Sequence, residues 1–394
     1  MHARNFFTVF LKYFISLHCY LKKINMLTRF AVTNYRGFDK KIELDLSSPN
    51  NYSFNQNSIS NGIIKNGIIY GPNGVGKTNF GLALFDIEYH LAPLKAKKSD
   101  YYDNFIYAGK PDSTVDFEYT FKFDGKVLEY KYSKSYNGKL KKESLYVDND
   151  NIFCRDEDNL TINAKQFPNA NNIQTNFLNN ANSVSVINYL LAVYPLDKDN
   201  YLLKLQEFVN GMLWFASLEF REFIGVESNQ KTNIEEYIIS NNLTSDFTDF
   251  LERISEQKFE FVNPQKGNKT LWYKVGNSKL PFCLTVSTGT RTLELLYFWL
   301  KHMNETTFVF IDEFDAFYHF KLAFNICKEL FNLPCQLFLS SHNTYLMTND
   351  LLRPDCNFII DGKSIKSLSN CTDKELRFGH NIEKIYRAGA FYEE

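Results

Sequence analysis

The chain has 394 residues, enough for two domains at the usual ~100–200 residues each. Its hydrophobic content of 44% is that of a globular protein, and a formal net charge of −1 leaves no bulk field to draw it onto nucleic acid or an anionic membrane. Seven scattered cysteines without a C-x-x-C pair argue against a zinc site and suit a reducing, cytoplasmic setting.

Residues 6–20 are apolar and follow Arg4 in the manner of a signal peptide, but Lys12 interrupts the run and no A-x-A site follows. The run is also short and polar for a membrane span. Met26 opens a segment that reads as a natural first strand, so residues 1–25 are expected to be a loosely packed extension, the product of a start codon set too early. Phe30-Ala31-Val32 and Ile42–Leu46 alternate around a turn at Gly37, and the Asn/Ser-rich stretch 48–61 is expected to be an exposed loop.

Gly67-Ile68-Ile69-Tyr70 reads as a short buried strand, and Asn79–Phe85 as the start of a helix running to about His90. Between them lie Gly71, Pro72, Asn73, Gly74, Val75, Gly76, Lys77 and Thr78, which match the phosphate-binding loop G-x-x-x-x-G-K-[ST] at every fixed position. Backbone N–H groups at a helix N-terminus cradle phosphate oxygens. Lys77 is placed to reach the β- and γ-phosphates of ATP, and Thr78 to offer its hydroxyl to Mg²⁺.

Val115–Phe123 alternates strictly, Asp124-Gly125 signals a hairpin, Val127–Tyr132 follows, and Asn137-Gly138 leads to Leu145-Tyr146-Val147. These form an antiparallel sheet of three or more strands. Residues 150–182 are Asn-rich and aperiodic, as in a loop or irregular insert, and residues 183–255 carry helical spacing at Leu202, Leu205, Phe208 and Val209. Phe259–Phe261 and Leu271–Val275 return to strand. The lysine clusters Lys95/Lys97/Lys98 and Lys139/Lys141/Lys142 are small enough to read as solvated faces.

The C-terminal third alternates: a helix from about Thr290 to His302, a strand Thr307–Ile311, a helix from about Lys321 to Phe331, and a strand Gln336–Leu339. Alternation of this kind indicates an α/β fold with a parallel sheet. Thr307–Ile311 is a continuous apolar run ending in Asp312-Glu313, so its carboxylates belong at the ligand-binding edge of the sheet. Asp312 would hold Mg²⁺ and Glu313 would polarise the attacking water. Ser287-Thr288-Gly289 begins the preceding helix, where a hydroxyl also serves as an ordinary cap. His342 follows Ser340-Ser341 at the end of the next strand.

These four elements, in this order, resemble the ABC-type ATPases rather than AAA+ proteins or GTPases. The Ser287–Arg291 segment resembles their signature, Leu-Ser-Gly-Gly-Gln, with Thr290 and Arg291 in place of the second glycine and the glutamine. Phe30–Phe38 is similar to the first hairpin of the RecF/SMC/OLD-like branch, and Asp312-Glu313-Phe314-Asp315-Ala316-Phe317-Tyr318-His319 to its Asp-Glu-Phe-Asp-x-x-Leu-His. The tail Asn381–Phe391 resembles that of short bacterial ATPases grouped as AAA family or OLD-like. The likeness covers residues 26–150 and 281–394 and implies a P-loop ABC-type core with a mixed parallel sheet, an antiparallel β subdomain, and a largely helical insert or lid at 151–280.

The resemblance also implies an ATP-sandwich homodimer. Ser287 and Gly289 of one copy would face the γ-phosphate held by Lys77 of the other, His342 would sense that phosphate, and Asp315 would sit at the seam. Such proteins occur in anti-phage and abortive-infection systems beside an effector, a nuclease or toxin. A RecF-like DNA-repair ATPase is the alternative, which the near-neutral charge disfavours. No glutamine of the Q-loop type follows the first helix; Tyr101–Phe105 lies there instead. About fifty residues follow His342, too few for the Toprim nuclease domain of OLD proteins.

Overall fold

Alternation and continuity of apolar residues divide this chain between two sheets. The computed structural model describes residues 25–92, 101–157, 159–180, 183–216, 223–225, 233–262, 267 and 269–391. The extension at 1–24 and the cluster Lys95, Lys97, Lys98 lie outside the described residues.

Strands β1 (Met26–Thr33) and β2 (Ile42–Asp45) form the first hairpin. Strand β3 (Asn66–Tyr70) runs into the glycine-rich loop, and α1 (Lys77–Leu84) leaves it. The helix expected to reach His90 breaks at Phe85 and resumes as α2 (Asp86–Leu91). A meander follows: β4 (Val115–Phe123), β5 (Lys126–Lys134), β6 (Leu140–Val147), β7 (Asp150–Asp156) and β8 (Asn159–Ile162). The Asn-rich stretch read as irregular thus contains two further strands and the helix α3 (Ala170–Asn180). At the β4–β5 turn, Asp124 and Gly125 have φ of 51° and 89°, the paired positive values that a two-residue hairpin demands.

Helices α4 (Val186–Val193) and α5 (Tyr201–Asn210) precede β9 (Met212–Phe215), a strand within the segment expected to be helical, and β10 (Phe223–Gly225). Then come α6 (Ile234–Ser240), α7 (Thr244–Ser255), and the hairpin β11 (Trp272–Val275) with β12 (Ser278–Pro281). The last third alternates as expected: α8 (Thr288–His302), β13 (Phe308–Ile311), α9 (Phe320–Leu330), β14 (Gln336–Ser341), β15 (Asn357–Ile360), β16 (Ile365–Ser367) and α10 (Ile382–Arg387).

Among the described residues, one sheet is antiparallel with order β8-β7-β6-β5-β4-β1-β2. The other has order β10-β9-β13-β14-β3-β15-β16, and its five inner strands are parallel. The inner strands are buried at every position, as helices on both faces require. In β4, by contrast, Val115, Phe117, Tyr119, Phe121 and Phe123 are buried while the residues between them are half-exposed.

One buried polar side chain ties the two sheets together. Gln336, at the start of β14, accepts from Leu27 N (3.0 Å) in β1 and donates to the carbonyls of Leu27 and Ile64 (both 2.9 Å). A fully buried amide satisfied on both ends specifies that contact rather than weakening it.

Candidate nucleotide site

Register brings the site together. Ile68 of β3 lies opposite Leu339 of β14, which lies opposite Ile311 of β13. The residues that follow each strand therefore emerge on one edge: the loop Gly71–Gly76, the acids Asp312 and Glu313, and His342. This is the carboxyl edge, where parallel α/β sheets bind ligands.

The loop's shape comes from its glycines. Gly76, the residue before α1, has φ of 103°, and a Cβ there would lie 2.7 Å from the Phe38 ring. Only glycine combines that conformation with that approach. Lys77 is buried, and its Nζ donates to the carbonyls of Gly71 (2.8 Å) and Pro72 (3.0 Å), so the ammonium is folded back over the loop. Burial lowers its pKa, with the nearby Glu313 carboxylate acting in the opposite direction.

Thr78 and Asp312, 234 positions apart, meet directly: Thr78 Oγ1 donates to Asp312 Oδ2 at 2.6 Å. The other carboxylate oxygen of Asp312 accepts from Ser340 Oγ at 2.5 Å, and that hydroxyl in turn accepts from Glu313 N at 2.8 Å. Burial raises the pKa of Asp312, opposed by its hydroxyl donors Ser340 and Thr78. Glu313 has φ of 46°, in the left-handed region that residues other than glycine adopt rarely.

Ser341 donates to Asp315 Oδ2 at 2.9 Å and accepts from Asn343 N at 2.9 Å, which fixes the backbone on either side of His342. His342 itself is exposed. Asp315 is buried within the protomer, and burial raises its pKa. Its Oδ1 has no hydrogen-bond partner among the described residues.

Ser287 caps α8, accepting from Thr290 N at 3.2 Å. Gly289 packs close to the segment after Glu313, since a Cβ there would sit 3.0 Å from the Phe317 carbonyl. Ser287 and Gly289 thus stay beside their own helix and the Phe317 turn, while Lys77, Thr78, Asp312 and the Ser340 hydroxyl form one cluster.

Sequence reasoning passed over Ser340 and Ser341 as sites in their own right. Two hydroxyls on consecutive residues of a strand otherwise buried throughout were the available signal, because buried polar groups need partners.

The oxygen set suits a hard divalent cation shared with phosphates. Magnesium typically takes one or two carboxylate oxygens and leaves the remaining positions to phosphate and water. Thr78 Oγ1 and Asp312 Oδ2, already 2.6 Å apart, supply hard oxygens beside the loop that would hold the phosphates.

A protein-family model described as "AAA domain, putative AbiEii toxin, Type IV TA system" matches residues 68–348, from β3 through the His342 segment. The chain belongs to this AAA family. Its core is α/β, a parallel sheet with helices, with an antiparallel sheet beside it. Among solved structures, this AAA-family chain is similar to the SMC head domain from Thermotoga maritima, at 14% identity, TM-score 0.41, and coverage of 86% of this chain and 98% of that one. It is also similar to the Smc head domain bound to the C-terminal domain of ScpA from Pyrococcus furiosus (12% identity, TM-score 0.44, 88% and 97% covered). A third similar structure is the Smc head with coiled coil and joint from Pyrococcus yayanosii (11%, 0.45, 88% and 98%). No curated protein sequence matches the chain. Among the described residues, no helix is long and apolar enough to cross a membrane.

Proposed function

We propose that this chain binds ATP with Mg²⁺, hydrolyses it, and uses the cycle to join and separate two copies of itself. The observation that carries this reading is the 2.6 Å contact between Thr78 and Asp312, which brings the phosphate loop and the acidic strand end together. Lys77 would exchange the Gly71 and Pro72 carbonyls for β- and γ-phosphate oxygens, and the loop N–H groups would hold the β-phosphate. Thr78 and Asp312 would hold magnesium, which when bound shields charge on the phosphoryl oxygens.

Glu313 would orient and deprotonate the attacking water, its backbone held by the Ser340 hydroxyl. His342 would meet the γ-phosphate from the end of β14, with Asp315 holding its backbone through Ser341. The reading gives Ser287 and Gly289, at the start of α8, to the nucleotide of a second copy. The family description names a putative AbiEii toxin of a type IV toxin–antitoxin system; our reading gives the chain a role in anti-phage defence alongside a separate effector protein, a nuclease or toxin. The alternative of direct DNA binding gains little from the Lys139–Lys142 cluster, where Lys141 pairs with Glu157 and Lys142 with Asp156.

The test is Glu313→Gln. Phosphate release should fall about 10²–10⁴-fold, the usual contribution of a general base. ATP binding should persist, and light scattering should show a doubled mass with ATP. An unchanged rate removes Glu313 as the base. An unchanged mass refutes the sandwich.

A further inference from the structure

Ser287 caps α8 from an exposed position, yet its hydroxyl is already engaged within its own protomer. Its Oγ accepts from Thr290 N at 3.2 Å and lies 2.9 Å from Thr290 Oγ1. Thr290 is buried, and its hydroxyl donates to Gln257 Oε1 at 3.3 Å. Three oxygens therefore stand in a row, from an exposed glutamine through a buried threonine to an exposed serine.

The protons in that row can be counted. A hydroxyl carries one proton and two lone pairs. Thr290 gives its proton to Gln257. The contact with Ser287 is then made by the serine proton, which points at Thr290 Oγ1. The charged oxygens of a phosphate accept hydrogen bonds and take donors only. A serine whose proton is spent on Thr290 has nothing to offer them. With the Gln257 acceptor gone, Thr290 donates to Ser287 Oγ instead, and the serine proton is released.

Gln257 is held in place although it is exposed. It lies two residues beyond α7, and Glu256 between them has a left-handed φ of 60°. The end of α7 is tied to α9 at three points. Arg253 Nε meets Glu329 Oε1 at 3.1 Å, Asn325 Nδ2 donates to the Ile254 carbonyl at 3.4 Å, and Lys321 Nζ donates to Glu256 Oε1 at 2.8 Å. Each surface contact contributes little stability alone. Together they fix where this turn sits, and with it the Gln257 acceptor.

We propose that Gln257 is a positioning residue that sets the direction of the Ser287 hydroxyl, withholding its proton from the nucleotide phosphate of a second copy while the end of α7 stays docked. The inference rests on the reading that Ser287 faces that phosphate. It adds that the contact is governed from the helical insert through Thr290. A shift of the α7 end away from α8 turns the serine proton outward, and its return draws the proton back. Only hydrogen-bond partners are exchanged.

The experiment measures the protein concentration at which half of the chain is dimeric, by light scattering across a dilution series with a non-hydrolysable ATP analogue and Mg²⁺. Gln257→Met keeps the side-chain length and loses the acceptor. It should lower that concentration about tenfold or more, the effect of one hydrogen bond gained to a charged acceptor. Gln257→Glu keeps the acceptor and should give no gain. Thr290→Val releases the serine proton by removing its partner, so it should reproduce the gain, and Gln257→Met should add nothing to it. If Thr290→Val is insoluble, the Met and Glu variants decide the matter. Nucleotide affinity of the dilute monomer should not change in any of them. The gain should vanish when Ser287→Ala is added to Gln257→Met. A gain that survives Ser287→Ala, or that appears in Gln257→Glu, overturns the proposal. A wild-type dimer with an unchanged midpoint in Gln257→Met overturns the role of Gln257 alone. No dimer in either chain removes the sandwich reading, and this inference with it.

Discussion

The two large sheets solve the same problem, burying strands, with opposite chemistry. In the parallel sheet the inner positions are apolar or carry an amide, hydroxyl or indole, and carboxylates and imidazole appear only where the strands end, at Asp312, Glu313 and His342. In the antiparallel sheet the buried face itself carries ionisable groups: Tyr130, Tyr132 and Lys134 on β5, Glu143 on β6, Arg155 on β7. Reactive groups at strand ends can exchange protein partners for a ligand without leaving a hole in the core. Groups buried in mid-sheet cannot, so each must be matched by a partner of the protein's own. The parallel sheet is thus a platform that presents chemistry, while the antiparallel sheet anchors the phosphate-loop helix through a closed polar network.

The largest expected effect comes from opening that network. Asp86, fully buried, accepts from Tyr101 Oη at 3.0 Å, Tyr132 Oη at 2.8 Å and Lys134 Nζ at 2.5 Å. Lys134→Met leaves the carboxylate without its cation and should cost about 3–5 kcal/mol, measured by urea unfolding. Adding Asp86→Asn should recover much of that loss, because a neutral amide needs no cation. If Lys134→Met unfolds like the wild type, the mid-sheet groups are not the closed network described.

Much of this contrast was legible in the sequence, and the remainder failed for identifiable reasons. Gly71–Thr78 and Asp312 follow from motif and strand context, and β4 alternates so strictly that its expected and observed bounds coincide at Val115–Phe123. Met212–Phe215 hid because a strand buried on both faces has no period, and it follows directly on the amphipathic α5. Strands β7 and β8 were obscured by asparagines, since their partners are set by the neighbouring strand rather than by local preference. Lys134 and Glu143 occupy inward positions, but a charge there reads from sequence as a break in the pattern. Only the fold supplies Asp86, Tyr130 and Val186 N as partners.

A second expectation concerns pH. Burial pushes the Glu143 carboxyl up to about 7. The unfolded group titrates near the ordinary glutamate value, so the folded state holds a proton that the unfolded state has released between those two values. Stability from this group is therefore greatest below the unfolded pKa, declines as pH rises toward 7, and levels off above it. The full span is on the order of 3 kcal/mol. Melting temperature should fall from pH 5 to pH 8, and Glu143→Gln, which keeps an acceptor for Val186 N, should flatten that slope. An equal slope in the variant would assign the pH dependence elsewhere.

The smallest effect tests the parallel side, where packing rather than charge sets the cost. Gly81 faces the sheet from the middle of α1. A Cβ there would lie 2.8 Å from Phe310 Cε1 of β13 and 3.0 Å from Trp214 Nε1 of β9. Gly81→Ala gains about 1 kcal/mol of helix propensity, while overpacking a well-filled core costs about 1–3 kcal/mol. The contacts are with rings held in a buried sheet, so the clash should win, with a net loss of about 1–2 kcal/mol in urea unfolding. ATP affinity should fall with it, because the displaced helix carries Lys77 and Thr78 at its N-terminus. A variant that is more stable than wild type, with unchanged nucleotide binding, would mean that α1 can shift on the sheet without disturbing the Thr78–Asp312 contact.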